Sequence, residues 1–382
     1  MFPGPEARVR AVADMGWPSG GMPMLTTAET ARDLLRLREA LTRINSGVPR
    51  RHKVVLTPFW VVGGPDYAAM RASGCPGSRD CRYHELFWHN SSGGLARAPY
   101  LRGDLRPHYL ELFHLGLWHP EYHGRSHFDA TAWVDYLRRG DEFARYYFGR
   151  GMTMYYWGFR DEETNSTHSL HCEYLADDTA HTKSVAWTRS WLAAGLDSFQ
   201  RFWGYASKVT SVPTHHAPPY LGEILAASGV LAVEHNQLDF VDSIPRFEID
   251  LDSYLQLGGA AAVQSEAHRQ RETLQRRLAD EDFLALQWHS QNALASMYSS
   301  QEAELLLDEF GRTVDMIRQQ FPGVVFVTAS ELAQLKAAGV TLHVPLHVSL
   351  YVLCVCPHMY THTHTQGCRR SHGGAATICA TP

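Results

Sequence analysis

The stretch EYHGRSHFD, residues 121–129, holds two histidines four positions apart, His123 and His127. Neutral imidazoles are good ligands for zinc and its neighbours, and a catalytic metal needs about three protein ligands with one position left open for water. Pro120 and Gly124 favour a loop after a strand, from which both rings can turn to one side. Because the chain has 22 histidines, this spacing alone does not specify a metal site, and a carboxylate ligand must come from elsewhere.

Two further residues could complete such a site. Asp14 follows a predicted strand at 7–13 and is the natural third ligand, although an Asp before a Gly/Pro loop more commonly caps that loop. His289 ends an apolar strand in LQWHSQNA. A histidine there is either a satisfied core or rim residue or, if it faces the metal, a general acid that titrates near neutral pH.

Composition limits the class of protein. With 382 residues, 45% of them hydrophobic, the chain can bury one large core or two modest ones. The net charge is -5 and no basic run occurs, so we expect no nucleic-acid partner. The 10 Trp and 17 Tyr residues fit a sugar-binding cleft, but they fit an ordinary large core at least as well.

The termini and the cysteines bear on localisation. The first residues lack the apolar segment of a secretory signal, so we expect the cytoplasm by default. The most apolar late stretch, 344–356, is too short and too interrupted by histidine to span a bilayer. Seven cysteines favour reduced thiols, although Cys75 and Cys81 could close a small disulfide loop.

Strand and helix patterns alternate along the chain. The predicted strands are 7–13, 53–62, 152–159, 207–213, 230–235, a segment within 281–290, and 323–329. The predicted helices are 26–47 with a capping box of Thr26 and Glu29, 106–116, 131–148, 181–204, 220–229, 300–321 and 330–339. Such repeats predict parallel strands with outer helices, in a barrel or an open sheet. Neither a GxGxxG after the first strand nor a Walker A loop is found, so dinucleotide and nucleoside triphosphate sites lose support.

The order of these elements suggests one site. In parallel barrels the chemistry lies at the carboxyl ends of the strands. Asp14, His123, His127, His216 and His289 each follow or end a predicted strand. We therefore expect them to meet at one mouth.

The last part of the chain differs from the rest. Beyond residue 340 the sequence loses periodicity and is rich in His, Thr, Cys and Gly. This composition predicts a single domain over 1–340, followed by a low-complexity, disordered or non-native extension over 341–382.

These motifs carry a family resemblance. The span from about 7 to 340 resembles the polysaccharide deacetylase superfamily (NodB-like, carbohydrate esterase family 4), and in particular a divergent, mostly uncharacterised branch of it. VADMGWP stands where that branch has Asp-Asp-Trp-Gly, VVLTPFWVVGGPDYAAMRASG resembles its second strand and turn, and LWHPEYHGRSHF resembles its His-x-x-x-His motif. HHAPPY takes the place of its proline-rich motif, and LQWHSQNA with FPGVVFVTASELAQL resembles its closing strand, histidine and helix.

The resemblance implies a fold and a reaction. The fold is an α/β protein with a distorted parallel (β/α) barrel. The reaction is the removal of acetyl groups from N- or O-acetylated carbohydrate. One divalent metal, Zn²⁺ with Co²⁺, Mn²⁺ or Ni²⁺ as alternatives, is bound by Asp14, His123 and His127. His289 protonates the leaving group.

The chain departs from the family pattern in the residues that assist catalysis. The family has two adjacent acids, the first a general base, but here the pair is Ala13-Asp14, and losing a base costs about 10²–10⁴-fold in rate. The third motif has His215-His216 instead of its usual arginine. A carboxylate such as Glu121, Asp129 or Glu248 would have to replace the missing base.

The sequence also suggests residues that contact the substrate and leaves two alternative functions open. We expect His216, Tyr220 and Arg125 to contact the carbohydrate. Ala13 leaves open a non-catalytic relative that only binds glycans. A glycosidase that uses two carboxylates, such as Asp161 and Glu248, is the other alternative.

Overall fold

The computed structural model describes residues 30–87, 104–149, 182–213, 217–234, 238–249, 251–280, 283–289, 299–339 and 347–353, with short pieces between 151 and 174. The predicted first strand and most of the strand predicted for 152–159 lie outside these residues.

The helices follow most of the predicted helical segments. They are α1 (Ala31–Ile44), α2 (Tyr67–Ala72), α3 (Arg106–His114), α4 (Ala130–Arg139), α5 (Glu142–Gly149), α6 (Val185–Trp203), α7 (Leu221–Ala227), α8 (Asp252–Asp280, interrupted at Gly259), α9 (Ser300–Gln320) and α10 (Ala329–Ala337), with a 3-10 helix at Arg50–His52. None of the described helices is both long and apolar enough to cross a bilayer.

Three helical predictions need correction. α1 begins at Ala31, because Thr30 is extended and forms a capping box with Asp33; the capping box predicted for Thr26 and Glu29 lies outside the described residues. The single helix predicted for 131–148 is two helices, because Gly140 ends α4 in a left-handed conformation with φ of 77°. α8 corresponds to no predicted helix.

The strands form one large parallel sheet and two small hairpins. They are β1 (Leu56–Val61), β2 (Gly63–Pro65), β3 (Glu85–Phe87), β4 (Glu121–Gly124), β5 (Phe159–Asp161), β6 (Ser166–His168), β7 (Val209–Ser211), β8 (Ala232–Glu234), β9 (Asp242–Ile244), β10 (Arg246–Ile249), β11 (Phe283–His289), β12 (Val325–Val327) and β13 (His347–Leu353). The large sheet has the order β10-β11-β13-β1-β4-β7-β8-β9, and β12 also pairs with β13. Every pairing within it is parallel, whereas β2–β3 and β5–β6 are antiparallel. The predicted mixed α/β fold with parallel strands is confirmed.

The two faces of the large sheet pack differently. One face, called the outer face, contacts the helices through residues such as Trp60, Tyr122 and Trp288. The opposite face, called the inner face, gathers small and apolar side chains from several strands into one cluster with α10: Phe59, Val209, Ala232, Ile244 and Ala285. Successive strand residues alternate between these faces, as the strand period of two requires.

The segment beyond 340 contributes a strand. Residues 347–353 form β13, which pairs along its length with β11 and, near its carboxyl end, with β1. This part of the predicted disordered extension is therefore ordered at the centre of the sheet. Its alternating apolar residues, HVSLYVL, have the pattern of a strand, but their place in the sheet depends on partners far away in sequence.

The disulfide left open by the sequence is present. Cys75 and Cys81 are bonded, with Sγ atoms 2.03 Å apart, so the expectation of reduced thiols does not hold for this pair. Cys172 is buried and is not part of this disulfide.

Candidate functional site

His123 lies near the carboxyl end of β4 and is 1% exposed. Its Nδ1 is 2.7 Å from the carbonyl oxygen of Ser211, at the end of β7. Because a carbonyl only accepts, Nδ1 carries the proton. Burial lowers the pKa of His123 to about 4, against the raising effect of the Ser211 bond. The ring is therefore neutral, and its buried Nε2 has no hydrogen-bond partner among the described residues.

His127 is turned back toward His123 by its backbone. Its φ of 64° is in the left-handed region, which a residue with a side chain rarely adopts and which costs about 1–3 kcal/mol. The two imidazole rings lie with their centroids 4.8 Å apart and their planes at 69°. His127 is 3% exposed, so the pair is almost enclosed by protein.

The loop between the two histidines is wrapped around a carboxylate. The backbone N–H groups of Arg125, Ser126 and His127 all donate to Glu173, at 3.0, 2.6 and 3.0 Å. Successive N–H groups that converge on one anion form a nest. Since Glu173 is fully buried, it fixes the loop from inside.

Gly124 allows this close approach. Its φ is 149°, and a Cβ atom there would lie 2.8 Å from Oε1 of Glu173 and 2.9 Å from Cγ of Pro213. Any side chain would push the nest off its carboxylate. The glycine therefore determines where the two rings point.

The guanidinium group of Arg125 contacts a carboxylate and two aromatic rings. Its Nε donates to Oε2 of Glu85 at 2.5 Å, and its Cζ lies 3.9 Å from the ring centre of Trp191 and 5.0 Å from that of Phe87. Burial raises the pKa of Glu85 to about 8, although Arg125 acts in the opposite direction. The predicted contact of Arg125 with substrate remains a prediction.

Tyr220 lies just before α7. Its hydroxyl donates to the carbonyl of Lys183 at 2.9 Å and lies 3.4 Å from Oγ1 of Thr188. This contact holds α7 against the start of α6. Its predicted contact with substrate also remains a prediction.

The rest of the predicted site is only partly described. Asp14 and His216 lie outside the described residues, as does the side chain of His289, whose backbone ends β11 opposite Leu353. Within the described part of the chain, no group of three or more His, Cys, Asp or Glu residues is arranged to hold a metal. The structure therefore brings together two of the three predicted ligands, His123 and His127.

These two residues fit a divalent metal. A histidine that binds a metal usually donates its other ring N–H to a carbonyl or carboxylate, which fixes the tautomer and the ring. His123 has this arrangement, with Ser211 as the acceptor and a buried Nε2 left over. Two imidazoles make an incomplete set, since about three protein ligands are needed.

A second polar group continues from His123 across the inner face. Oγ of Ser211 donates to Oε2 of Glu234 at 3.0 Å. Arg246 lies with Nη1 3.4 Å from Oε1 of Glu234 and Nη2 3.5 Å from Oε2 of Glu248. Burial raises the pKa of Glu234, while Arg246 and Ser211 lower it.

Several of these residues were not expected from the sequence. Glu234 lies one residue before the end of the strand predicted for 230–235, so its position at the same edge as His123 could have been found by the rule that selected the histidines. Glu173 and Glu85 have no such signal. Both act through contacts across 40 or more residues with the histidine loop.

Neither protein-family models, nor curated proteins, nor solved structures give a match to this chain. Its function has to be argued from the site itself.

Proposed function

We propose that the protein is a metal-dependent hydrolase that removes acetyl groups from N- or O-acetylated carbohydrate. The metal would be Zn²⁺, with Co²⁺, Mn²⁺ or Ni²⁺ as alternatives, and its ligands would be His123, His127 and Asp14. The observation that carries the proposal is the buried Nε2 of His123, a neutral nitrogen without a partner in the described residues, beside a second imidazole. The carbohydrate class rests on the resemblance of the motif order alone.

Each part of the site would have a separate task. The metal, when bound, lowers the pKa of a water molecule and polarises the acetyl carbonyl. Ser211 fixes the tautomer of His123, and Glu173 fixes the loop that carries His127. His289, at the end of β11, would give a proton to the leaving amine or alcohol.

We also propose that the parallel sheet closes into a distorted barrel. The two ends of the strand order, β9 and β10, are separated by Pro245 alone. β9 pairs with β8, whereas β10 pairs with β11, and the N–H of Ala285 donates to the carbonyl of Pro245 at 2.9 Å. One short segment thus connects both ends of the sheet. A parallel barrel would also explain why side chains from six strands meet in one inner cluster.

The strand registers support closure. From Pro58, the pairings through β13 and β11 lead to Ile249. The pairings through β4, β7 and β8 lead to Val241 when the β4–β7 register is extended by two residues and the other registers by one. The two paths therefore end about eight positions apart, a stagger typical of closed parallel barrels.

The metal is tested by elemental analysis of the purified full chain. We expect about one divalent ion per chain, lost in the double variant His123→Ala/His127→Ala. His268→Ala is the matched control, because His268 lies on α8 with 72% of its side chain exposed. Hydrolysis of N-acetylglucosamine oligomers and 4-nitrophenyl acetate should be abolished by EDTA and restored by zinc.

Other results would favour the alternatives. A wild-type chain without divalent metal, whose behaviour is unchanged by the double substitution, would contradict the proposal. Glycosidic cleavage that resists EDTA would favour the two-carboxylate enzyme, for which Glu234 and Glu248 share Arg246. Glycan binding without turnover would favour the non-catalytic relative.

A further inference from the structure

The proposed reaction needs a group that removes a proton from the attacking water. The family resemblance places a carboxylate at position 13, where this chain has Ala13. The sequence suggested three carboxylates as candidates for this base: Glu121, Asp129 and Glu248. The structure separates them by their surroundings.

Glu121 lies at the opposite end of β4, where protein donors occupy its carboxylate. It is fully buried, and its Oε2 accepts from Oγ of Ser207 at 2.5 Å and from the backbone N–H groups of Lys208 and Val209 at 2.8 and 3.1 Å. The hydroxyl of Ser330 donates to its Oε1. It lies at the amino end of the strand, away from the histidine pair, so we exclude it as the base.

Asp129 is committed to an ion pair and a helix cap. Nζ of Lys183 lies 2.7 Å from both of its carboxyl oxygens, in surroundings where these side chains are 3% and 1% exposed. Its Oδ1 also accepts from the N–H groups of Thr131 and Ala132 at the start of α4. Both carboxyl oxygens of Asp129 are therefore engaged by protein donors, so we exclude it as the base.

Glu248 is the carboxylate with access to solvent. It follows Arg246 by two residues on β10, and Arg246 lies on the inner face, because its register partner is Ala285 and it reaches Glu234. Glu248 therefore lies on the same face. Its side chain is 34% exposed, against 14% for Arg246 and 0% for Glu234.

The strand registers put Glu248 at the same level along the axis of the proposed barrel as His123. The lateral pairings lead from β4 through Ser211 and Glu234 to Ile244, three strands away. The proposed barrel has seven strands and a stagger of about eight positions. Residues at the same level along the barrel axis are therefore displaced from the lateral pairing by about one position for each strand crossed. Over the three strands from β4 to β9, the residues at the level of His123 thus lie three to four positions beyond Ile244, at 247–248.

We propose that Glu248 is the general base of this site, held in place by Arg246, which is anchored on the buried Glu234. The inference rests on the proposed function and on the closed barrel. One oxygen of Glu248 takes a proton from the water while the water oxygen bonds to the acetyl carbon and the carbonyl pair moves onto oxygen. The bond to the leaving nitrogen or oxygen then breaks. The leaving group receives a proton from His289, and acetate is released.

The experiment compares Glu248→Gln, Glu248→Ala and the matched control Glu272→Gln, all in the full chain loaded with zinc. Glu272 lies on α8 with 60% of its side chain exposed. We expect kcat/KM for N-acetylglucosamine oligomers to fall about 10²–10⁴-fold in both Glu248 variants and not in the control. Added formate should restore part of the rate in Glu248→Ala alone, because the shortened side chain leaves room for a small carboxylate. The zinc content should stay at the wild-type level in all three.

The outcomes separate this inference from the proposed function. Zinc-dependent hydrolysis that survives Glu248→Gln within about threefold would overturn the role of Glu248 and leave the proposed function standing. A loss of zinc in Glu248→Gln would overturn it too, because Glu248 would then be a metal ligand. A wild-type chain without zinc and without hydrolysis would overturn both.

Discussion

The two ends of β4 are built in opposite ways, although only a few residues separate them. At the amino end, the carboxylate of Glu121 is saturated by protein donors and fully buried. At the carboxyl end, His123 keeps a nitrogen without a partner among the described residues, and His127 has a left-handed backbone. Among the described residues of the strand and its loop, the polar atom without a partner and the strained backbone both lie at the carboxyl end, which supports the proposal that this end binds a ligand.

The largest effect is expected at the amino end, from Glu121→Leu. The substitution removes the acceptor of the Ser330 hydroxyl and of the backbone N–H groups of Lys208 and Val209, at about 1–3 kcal/mol for each group. We expect the free energy of unfolding to fall by about 5 kcal/mol or more, measured by urea denaturation. The remaining folded fraction should bind zinc as the wild type does. A stable variant that has lost its zinc would reverse the assignment of the two ends.

The next effect concerns the support of the carboxyl end. Lys183→Met leaves the charge of Asp129 buried without its partner, which costs about 3–5 kcal/mol. Adding Asp129→Asn removes that charge while keeping a cap for α4, so the double variant should recover part of the loss. Urea unfolding of both variants measures the difference. If the double variant is no more stable than Lys183→Met, the ion pair is not the cause.

A smaller effect is expected from Gly124→Ala. The new Cβ would collide with Glu173 and Pro213, so we expect a loss of about 2 kcal/mol together with weaker zinc binding. Gly47→Ala is the control, because Gly47 also has positive φ, 71°, but has nothing within 4 Å of the added atom. Thermal unfolding and competition with a zinc chelator measure the two effects. Equal zinc affinities in both variants would show that the N–H nest around Glu173 does not orient the two histidine rings.

An effect of a different kind, a slope of stability with pH, is expected at the carboxyl end. The pKa of Glu85 is about 8 in the folded chain and 4.5 in its ordinary state. Between these values the folded state holds a proton that the unfolded state has released. Stability should therefore fall as the pH rises through this window, by up to about 1.4 kcal/mol per pH unit.

Glu85→Gln tests this slope, since an amide does not titrate. The difference in unfolding free energy between wild type and variant, measured by urea denaturation at about pH 5 and about pH 8, should change across the window. A difference that stays constant would show that Arg125 keeps Glu85 ionised throughout.

The fold was easier to predict from the sequence than the residues that position the histidine pair. Apolar runs locate β1 and β11, and helical periodicity locates α9, because local patterns reflect which residues are buried. The break at Gly140 and the cap at Thr30 were missed because competing local signals lay within a few residues of each other.

The histidine pair was found because both residues lie in one short motif, and their rings do meet. Glu173, Glu85 and Arg246 were not found, because their roles depend on contacts between distant segments. A buried carboxylate in a nest has no signature in its own neighbourhood, and only the folded chain shows which N–H groups it receives.

The position of β13 has a consequence for the synthesis of the protein. This strand is translated after the other described strands, yet it lies between β11 and β1 in the sheet. Until residue 353 has left the ribosome, the edges of β11 and β1 that it will cover remain unpaired, and open strand edges invite pairing with other chains. A nascent chain that stalls between 340 and 347 would therefore have all its proposed catalytic groups and still be prone to aggregation.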